Sequence, residues 1–378
     1  MKAKTDFCLK GLSIFRKFLL LLVLVACVFV SSSALAQSGQ PNIVIILADD
    51  LGYGDVAFNG CPDYPTPNID SLATNGVWCS SGYVTHPICS PSRAALMTGR
   101  YQQRFGYENN PEDDASNPRL GVPMQELLLS QMLRPAGYVC GLIGKWHLGS
   151  ASNLRPTQRG FDEFFGFLGG ASNYFNAHVL RNDTPLIEQA YLTDAFTREG
   201  VSFINRHATE PFFLVLAYNA PHLPNDTPPQ IYMDRVANIS DPQRRVYAAM
   251  ITALDDGIGQ VLQTVQAQNL LNNTLIFFLS DNGALQATYT RNYPLRGYKG
   301  SVWEGGVRVP FAVQWTGRLP GAFPMINPCP LWILFQAQPL QPGSHFRRTV
   351  SMTASMSSPI WRGNERPHQE HCSGAISV

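Results

Sequence analysis

Four short apolar runs, at residues 42–48, 138–143, 212–218 and 275–279, each stop at a cluster of polar residues. All four are rich in Ile, Val, Leu and Phe, the composition of strands buried on both faces rather than one. Longer amphipathic stretches separate them, and residues 245–261 show helical spacing. This alternation predicts an α/β fold: a mostly parallel central sheet with helices on both faces. In open sheets of this kind ligands bind outside the carboxyl ends of the strands, so the residues just after each run are the informative ones. They are Asp49-Asp50, Gly144-Lys145-Trp146-His147, Asn219-Ala220-Pro221-His222 and Ser280-Asp281-Asn282-Gly283.

Composition narrows the function. With 378 residues, 45% hydrophobic and 15% charged, the chain can bury a large core and is neither disordered nor a small disulfide scaffold. Lys plus Arg total 28 and Asp plus Glu 27, for a formal charge of +1. No global field draws such a chain to nucleic acid or to an anionic membrane, so any anion it handles must meet local charge.

The ends differ from the middle. Lys10, Arg16 and Lys17 precede an apolar run over 18–30, followed by small residues to Ala36. This pattern predicts a signal peptide over 1–36 and an exported protein, whether periplasmic, secreted or lumenal. Cys27 offers an alternative lipoprotein site, the one route to membrane attachment that the sequence contains. Six cysteines then remain, at 61, 79, 89, 140, 329 and 372, in spacings that match no metal finger or redox pair. Residues 37–321 read as one catalytic α/β domain. Residues 322–378 carry seven prolines, no Asp and no Lys, and read as an atypical tail, either a Pro-rich terminal segment or a frame-altered or truncated carboxyl-terminal region.

Two constellations carry chemistry. Asp49, Asp50, Asp281 and Asn282 place three carboxylates and an amide oxygen at neighbouring strand ends. Crowded carboxylates need a compensating cation, and an all-oxygen set suits calcium, with magnesium as the smaller-cavity alternative. The second is the stretch from Cys89 to Arg100, Cys-Ser-Pro-Ser-Arg-Ala-Ala-Leu-Met-Thr-Gly-Arg. Pro91 near its start and Gly99 at its end delimit a helix. Cys89 therefore stands at a helix N-terminus, which favours a developing anion, and Arg93 lies about one turn on.

This stretch resembles the first signature of the sulfatase family, Cys-x-Pro-Ser-Arg followed by Leu-x-Thr-Gly-Arg. Residues 137–147, ending Gly-Lys-Trp-His, are similar to the second. Asp49 to Asp55, Ala220-Pro221-His222, Ser280 to Gly283 and residues 295–306 also fall in the family's order, so the resemblance spans about residues 41–321. It implies an alkaline-phosphatase-like core and a sulfuric ester hydrolase closest to arylsulfatases and N-acetylgalactosamine-sulfate sulfatases, acting on an aryl sulfate or a sulfated carbohydrate. It further implies that a sulfatase-maturing enzyme converts Cys89 to formylglycine, whose hydrate attacks sulfur beside calcium held by Asp49, Asp50, Asp281, Asn282 and the modified Cys89. Arg93, Lys145, His147, His222 and Lys299 would hold the diol and the sulfate oxygens. His222 with Lys299 would protonate the leaving oxygen, and His147 would take a proton from the second hydroxyl. The alternatives are a phosphate or phosphonate monoester hydrolase of the same superfamily, or a truncated product without activity. His86 and His207 read as loop or surface residues.

Overall fold

The structure, a computed structural model, describes residues 40–326, together with the backbone of strand segments at 329–330, 336–337, 350–356 and 372–377. The expected signal segment and most of the tail lie outside the described residues.

Ten strands form one sheet. Its middle is built from β1 (Asn42–Ala48), β4 (Val139–Lys145), β5 (Glu163–Phe167), β8 (Phe212–Ala217) and β9 (Thr274–Ser280), which pair in parallel in the order β9-β1-β8-β4-β5. One flank adds β10 (Phe311–Gln314), β2 (Val77–Cys79) and β11 (Phe323–Met325), and the other adds β6 (Ala177–Arg181) and β7 (Thr184–Glu188). The first pairing on each flank is antiparallel. A short strand outside this sheet, β3 (Gly82–Tyr83), pairs with Cys329–Pro330. The segments Gln336–Ala337, Val350–Met356 and Cys372–Ser377 form an antiparallel sheet of their own.

The central strands are hydrophobic throughout because both faces are covered. In β1, Val44, Ile46 and Ala48 join one core cluster while Ile43, Ile45 and Leu47 join another. The two clusters split β8 and β9 in the same alternating way, as the period of two in a strand demands. On the first face lie α1 (Pro67–Thr74), α3 (Leu192–Arg206) and the long α4 (Pro242–Ala267); on the second lies α2 (Cys89–Thr98), through Ala94, Leu96 and Met97. Fully burying an aliphatic or aromatic side chain contributes about 1.5–3 kcal/mol, so this sandwich of helices and sheet is the main source of stability. Gly144 shows how tightly β4 and β8 approach: its φ is +116°, and a Cβ there would lie 1.9 Å from the Ala217 carbonyl oxygen.

A buried ionic cluster fastens the loop after β1 to α4. The Arg244 guanidinium donates to Asp55 at 2.6 Å and to Asp63 at 2.9 Å, and it lies over the rings of Tyr64 and Tyr247. Asp55, which has no exposed surface, also accepts from Tyr247 Oη and from the Arg291 amide. Removing one member of a buried pair leaves the other charge uncompensated, which costs about 3–5 kcal/mol. Arg244→Met is therefore expected to lower unfolding free energy by about that amount, with part of the loss recovered in Arg244→Met/Asp55→Asn. Equal stability of wild type and Arg244→Met in a denaturant titration contradicts this role.

Candidate active site

The carboxyl ends of β1, β4, β8 and β9 lie side by side, and the polar residues after them meet in one buried volume. Registered pairing sets the distances. Ala48 pairs with Ser280, the Asp281 amide donates to the Ala48 carbonyl at 3.1 Å, and the Asp50 amide donates to Asp281 Oδ1 at 3.1 Å. Asp50 and His147 sit in the left-handed region, with φ of 62° and 59°. That conformation is uncommon away from glycine and is concentrated where function fixes the backbone.

Three cations meet three carboxylates. Lys145 Nζ donates to Asp49 Oδ2 at 2.7 Å, with both side chains fully buried. Arg93 Nε donates to Asp281 Oδ2 at 2.8 Å, while its Nη2 lies 3.5 Å from Asp49 Oδ1. Lys299 Nζ reaches Asp50 Oδ1 at 2.7 Å. The crowding of acids is thus balanced by the protein's own cations, and crowding alone does not demand a metal. Burial opposes the charge on Asp49, yet Lys145, His222 and Arg93 overcome it and hold the carboxyl down at about 2. Burial also opposes the charge on Arg93, and Asp281 and Asp49 more than offset it.

Cys89 is the first residue of α2, and Ile88 before it is extended. Its Sγ lies 3.8 Å from Asp50 Oδ1. The next amide, that of Ser90, is capped by Asn110 Oδ1 at 3.0 Å, and the Ser90 hydroxyl donates to the His147 carbonyl. Gly99 closes the helix in the left-handed region. Burial pushes the Cys89 thiol up to about 12, with the three aspartates adding to the effect and Lys145 working against it. An unmodified Cys89 is therefore a protonated thiol and a poor nucleophile at neutral pH.

The two histidines differ. His222 Nδ1 donates to the Leu223 carbonyl at 2.7 Å, leaving Nε2 facing the centre 3.6 Å from Asp50 Oδ2. His147 is buried with its ring against Gly170, and its Nδ1 has no partner. Burial, then Lys145, Arg93 and Lys299, lower its pKa to about 2 and keep the ring neutral.

All ten residues singled out from the sequence lie around this one centre. Sequence reading placed Ser280 and Asn219 at strand ends without giving either a role. The Ser280 hydroxyl accepts from the Leu51 amide and donates to the Asn282 carbonyl, so that it ties the two acidic loops together, and Asn219 is buried with Oδ1 unpartnered. His207 is held between Glu163 and Glu210. His86 lies in a loop, as read from the sequence; it is half-buried, on the lining of a cavity that Ile88 also borders.

A buried cluster of acids and bases beside a helix N-terminus, at the carboxyl edge of a parallel sheet, stands where α/β proteins of this class bind ligands. The sulfatase family profile matches residues 41–327, and the chain belongs to that family. It is 32% identical over 343 residues to an uncharacterized sulfatase of Escherichia coli, 76% of this chain and 60% of that protein being covered. It is 35% identical to N-acetylgalactosamine-6-sulfatase of Canis lupus familiaris, with 77% and 60% covered, and 36% identical to arylsulfatase J of Mus musculus, with 72% and 48% covered. The chain thus spans about 60% or less of the length of these relatives. Among solved structures it resembles Ps i-CgsB in complex with k-i-k-neocarrahexaose, at a TM-score of 0.75 and 40% identity over 78% of this chain and 70% of that one. It also resembles the PsFucS1 sulfatase from Pseudoalteromonas sp., at 0.68 and 29% over 79% and 66%. The alkaline-phosphatase-like fold expected from the sequence is the one observed.

In chain carrying an unmodified Cys89, iodoacetamide at pH 8 is expected to leave that thiol unlabelled while the protein stays folded, and to label it after denaturation. Rapid native labelling, read by peptide mass spectrometry, would show that the thiol is neither buried nor protonated as described.

Proposed function

We propose that this chain is a sulfuric ester hydrolase acting on sulfated carbohydrates or aryl sulfates, exported from the cell that makes it, with Cys89 converted to formylglycine by a maturing enzyme and a calcium ion beside it. The carrying observation is the convergence of Arg93, Lys145 and Lys299 on the N-terminus of the helix that begins with Cys89. The relatives support the substrate class, since one is named N-acetylgalactosamine-6-sulfatase and one solved structure holds k-i-k-neocarrahexaose. Among the described residues no helix is long and apolar enough to cross a membrane.

The donor set fits a divalent ion. Asp49 Oδ1 and Asn282 Oδ1 are buried without hydrogen-bond partners, and ligand atoms of Asp49, Asp50, Cys89 and His222 lie within 4.8 Å of one another. The thiol and imidazole in that group would suit a softer metal. Replacing the thiol by an oxygen-bearing side chain, with Asn282 and Asp281 alongside, shifts the set to hard oxygen donors and to calcium over magnesium. Asp49, Asp50, Asp281 and Asn282 would hold the ion, which supplies positive charge for the ester oxygens. Hydrated formylglycine supplies two hydroxyls on one carbon where the thiol stands.

The remaining work falls to this chain's side chains. Arg93, Lys145 and Lys299 bind and orient the ester through its charged oxygens and stabilise the charge that grows in the transition state. Their own carboxylate partners keep them in place before substrate arrives. His222, fixed by its Nδ1 bond to Leu223, presents Nε2 for donating a proton to the departing alcohol oxygen. His147 is neutral in the free protein; a bound anion offsets the push of the surrounding cations and lets its ring accept a proton.

Turnover of an aryl sulfate is expected to exceed that of the matching aryl phosphate, to fall on chelation and to return with calcium. Arg93→Ala should reduce kcat/KM by about 100-fold or more, with an unfolding profile showing the variant intact. Dominant phosphatase activity identifies a phosphomonoester hydrolase of the same superfamily instead, and undiminished turnover in Arg93→Ala removes the site assignment.

A further inference from the structure

A cavity of about 760 Å3 opens next to the centre, within the range of small-molecule pockets. Thr85, His86 and Pro87 form one wall, Glu108 and Asn109 a second, and Gly300 and Val302 a third. Each wall is tied to a residue of the centre. Ile88, also on the lining, directly precedes Cys89. Gly300 directly follows Lys299, and its amide donates to the Pro87 carbonyl at 2.8 Å. The segment bearing Glu108 and Asn109 continues into Asn110, which caps the Ser90 amide. The lining thus reaches to within one residue along the chain of both Cys89 and Lys299.

The lining chemistry is unlike that of the centre. Among the described residues no Lys or Arg lines the cavity, whereas Glu108 does. Tyr83 and Tyr101 supply rings, and Gln103 and Asn109 supply amides. Thr85 and His86 line the cavity through other atoms, since Thr85 Oγ1 and His86 Nδ1 are themselves buried; behind them Gln102 Nε2 donates to the Thr85 carbonyl at 3.2 Å. Amides, a carboxylate and aromatic rings are groups that satisfy hydroxyls and stack on the apolar faces of rings. A sulfate or carboxylate placed here would meet Glu108 and no balancing cation.

We propose that this cavity is a subsite for an uncharged, hydroxyl-rich ring: a neutral glycosyl unit bonded to the sulfated unit that occupies the centre. The assignment rests on the sulfatase reading for what lies at Cys89, and it makes the substrate an oligosaccharide whose unit next to the cleaved sulfate carries no charge. Glu108 and Asn109 then select the substrate without touching the reacting atoms.

Two measurements test it separately from the reaction. In the first, wild type, Glu108→Lys and Asn109→Ala are compared on a sulfated disaccharide with a neutral neighbouring unit and on 4-methylumbelliferyl sulfate, which has no such unit. Each variant should lose about tenfold in kcat/KM on the disaccharide, mainly through KM, and stay within about twofold of wild type on the aryl sulfate. Glu108→Lys should gain on a disaccharide whose neighbouring unit is also sulfated. In the second, binding of unsulfated galactose-, glucose- and N-acetylhexosamine-containing disaccharides is read by ligand-observed NMR, which requires no turnover. At least one should bind wild type and lose binding in Glu108→Lys. Unchanged disaccharide kinetics in both variants, a wild-type preference for a charged neighbour, or no binding across that panel overturns the subsite. If wild type cleaves neither ester, the functional reading fails, and the NMR result alone decides the cavity.

Discussion

The pairing of β1 with β9 is the constraint on which the rest depends. Parallel strands in register bring their carboxyl ends level, so Asp49 and Asp50 emerge beside Asp281 and Asn282 although the two segments are 231 positions apart. The Asp281 amide bonded to Ala48, and the Asp50 amide bonded to Asp281, make the two loops one unit. On the other side of β1, β8 and then β4 deliver His222 and Lys145 to the same edge. A one-residue slip in this register would turn every side chain of β1 to the opposite face. The buried alternation between two cores prevents it, so the same packing that stabilises the fold holds the geometry of the centre.

Electrostatics at this edge is settled before any ligand enters. Three carboxylates and three cations, nearly all buried, neutralise one another. The arrangement is preorganised, because each cation is already fixed by a carboxylate and each carboxylate by backbone or a second partner. A divalent ion held there would add positive charge and leave a net attraction for an anionic ester. The high thiol pKa of Cys89 belongs to the same picture: burial and nearby aspartates keep an unmodified sulfur protonated.

Much of this was legible in the sequence because strand ends and motifs are local. The run 42–48 coincides with β1, and the other three runs fall on β4, β8 and β9 within two residues at each end. These are buried on both faces, so their composition is unmistakable. The flanking strands were not read: β2, β3, β10 and β11 are four residues or shorter, and β7 is an edge strand with exposed positions. Their apolar content is set by neighbours rather than by their own pattern. The ten site residues were legible since each follows a strong strand or lies in a compact motif. The support around them was not. Arg244 and Asp55 are 189 positions apart, and nothing in the sequence around His86 shows that its loop lines a cavity. Such partnerships are properties of the fold, and no short window of sequence contains them.

The centre has a chemical signature that can be read directly. In a preparation that hydrolyses sulfate esters, mass spectrometry of the peptide spanning Cys89 to Arg100 should show an aldehyde in place of the thiol, in proportion to specific activity. Full activity in protein whose Cys89 is entirely an unmodified thiol would contradict the account.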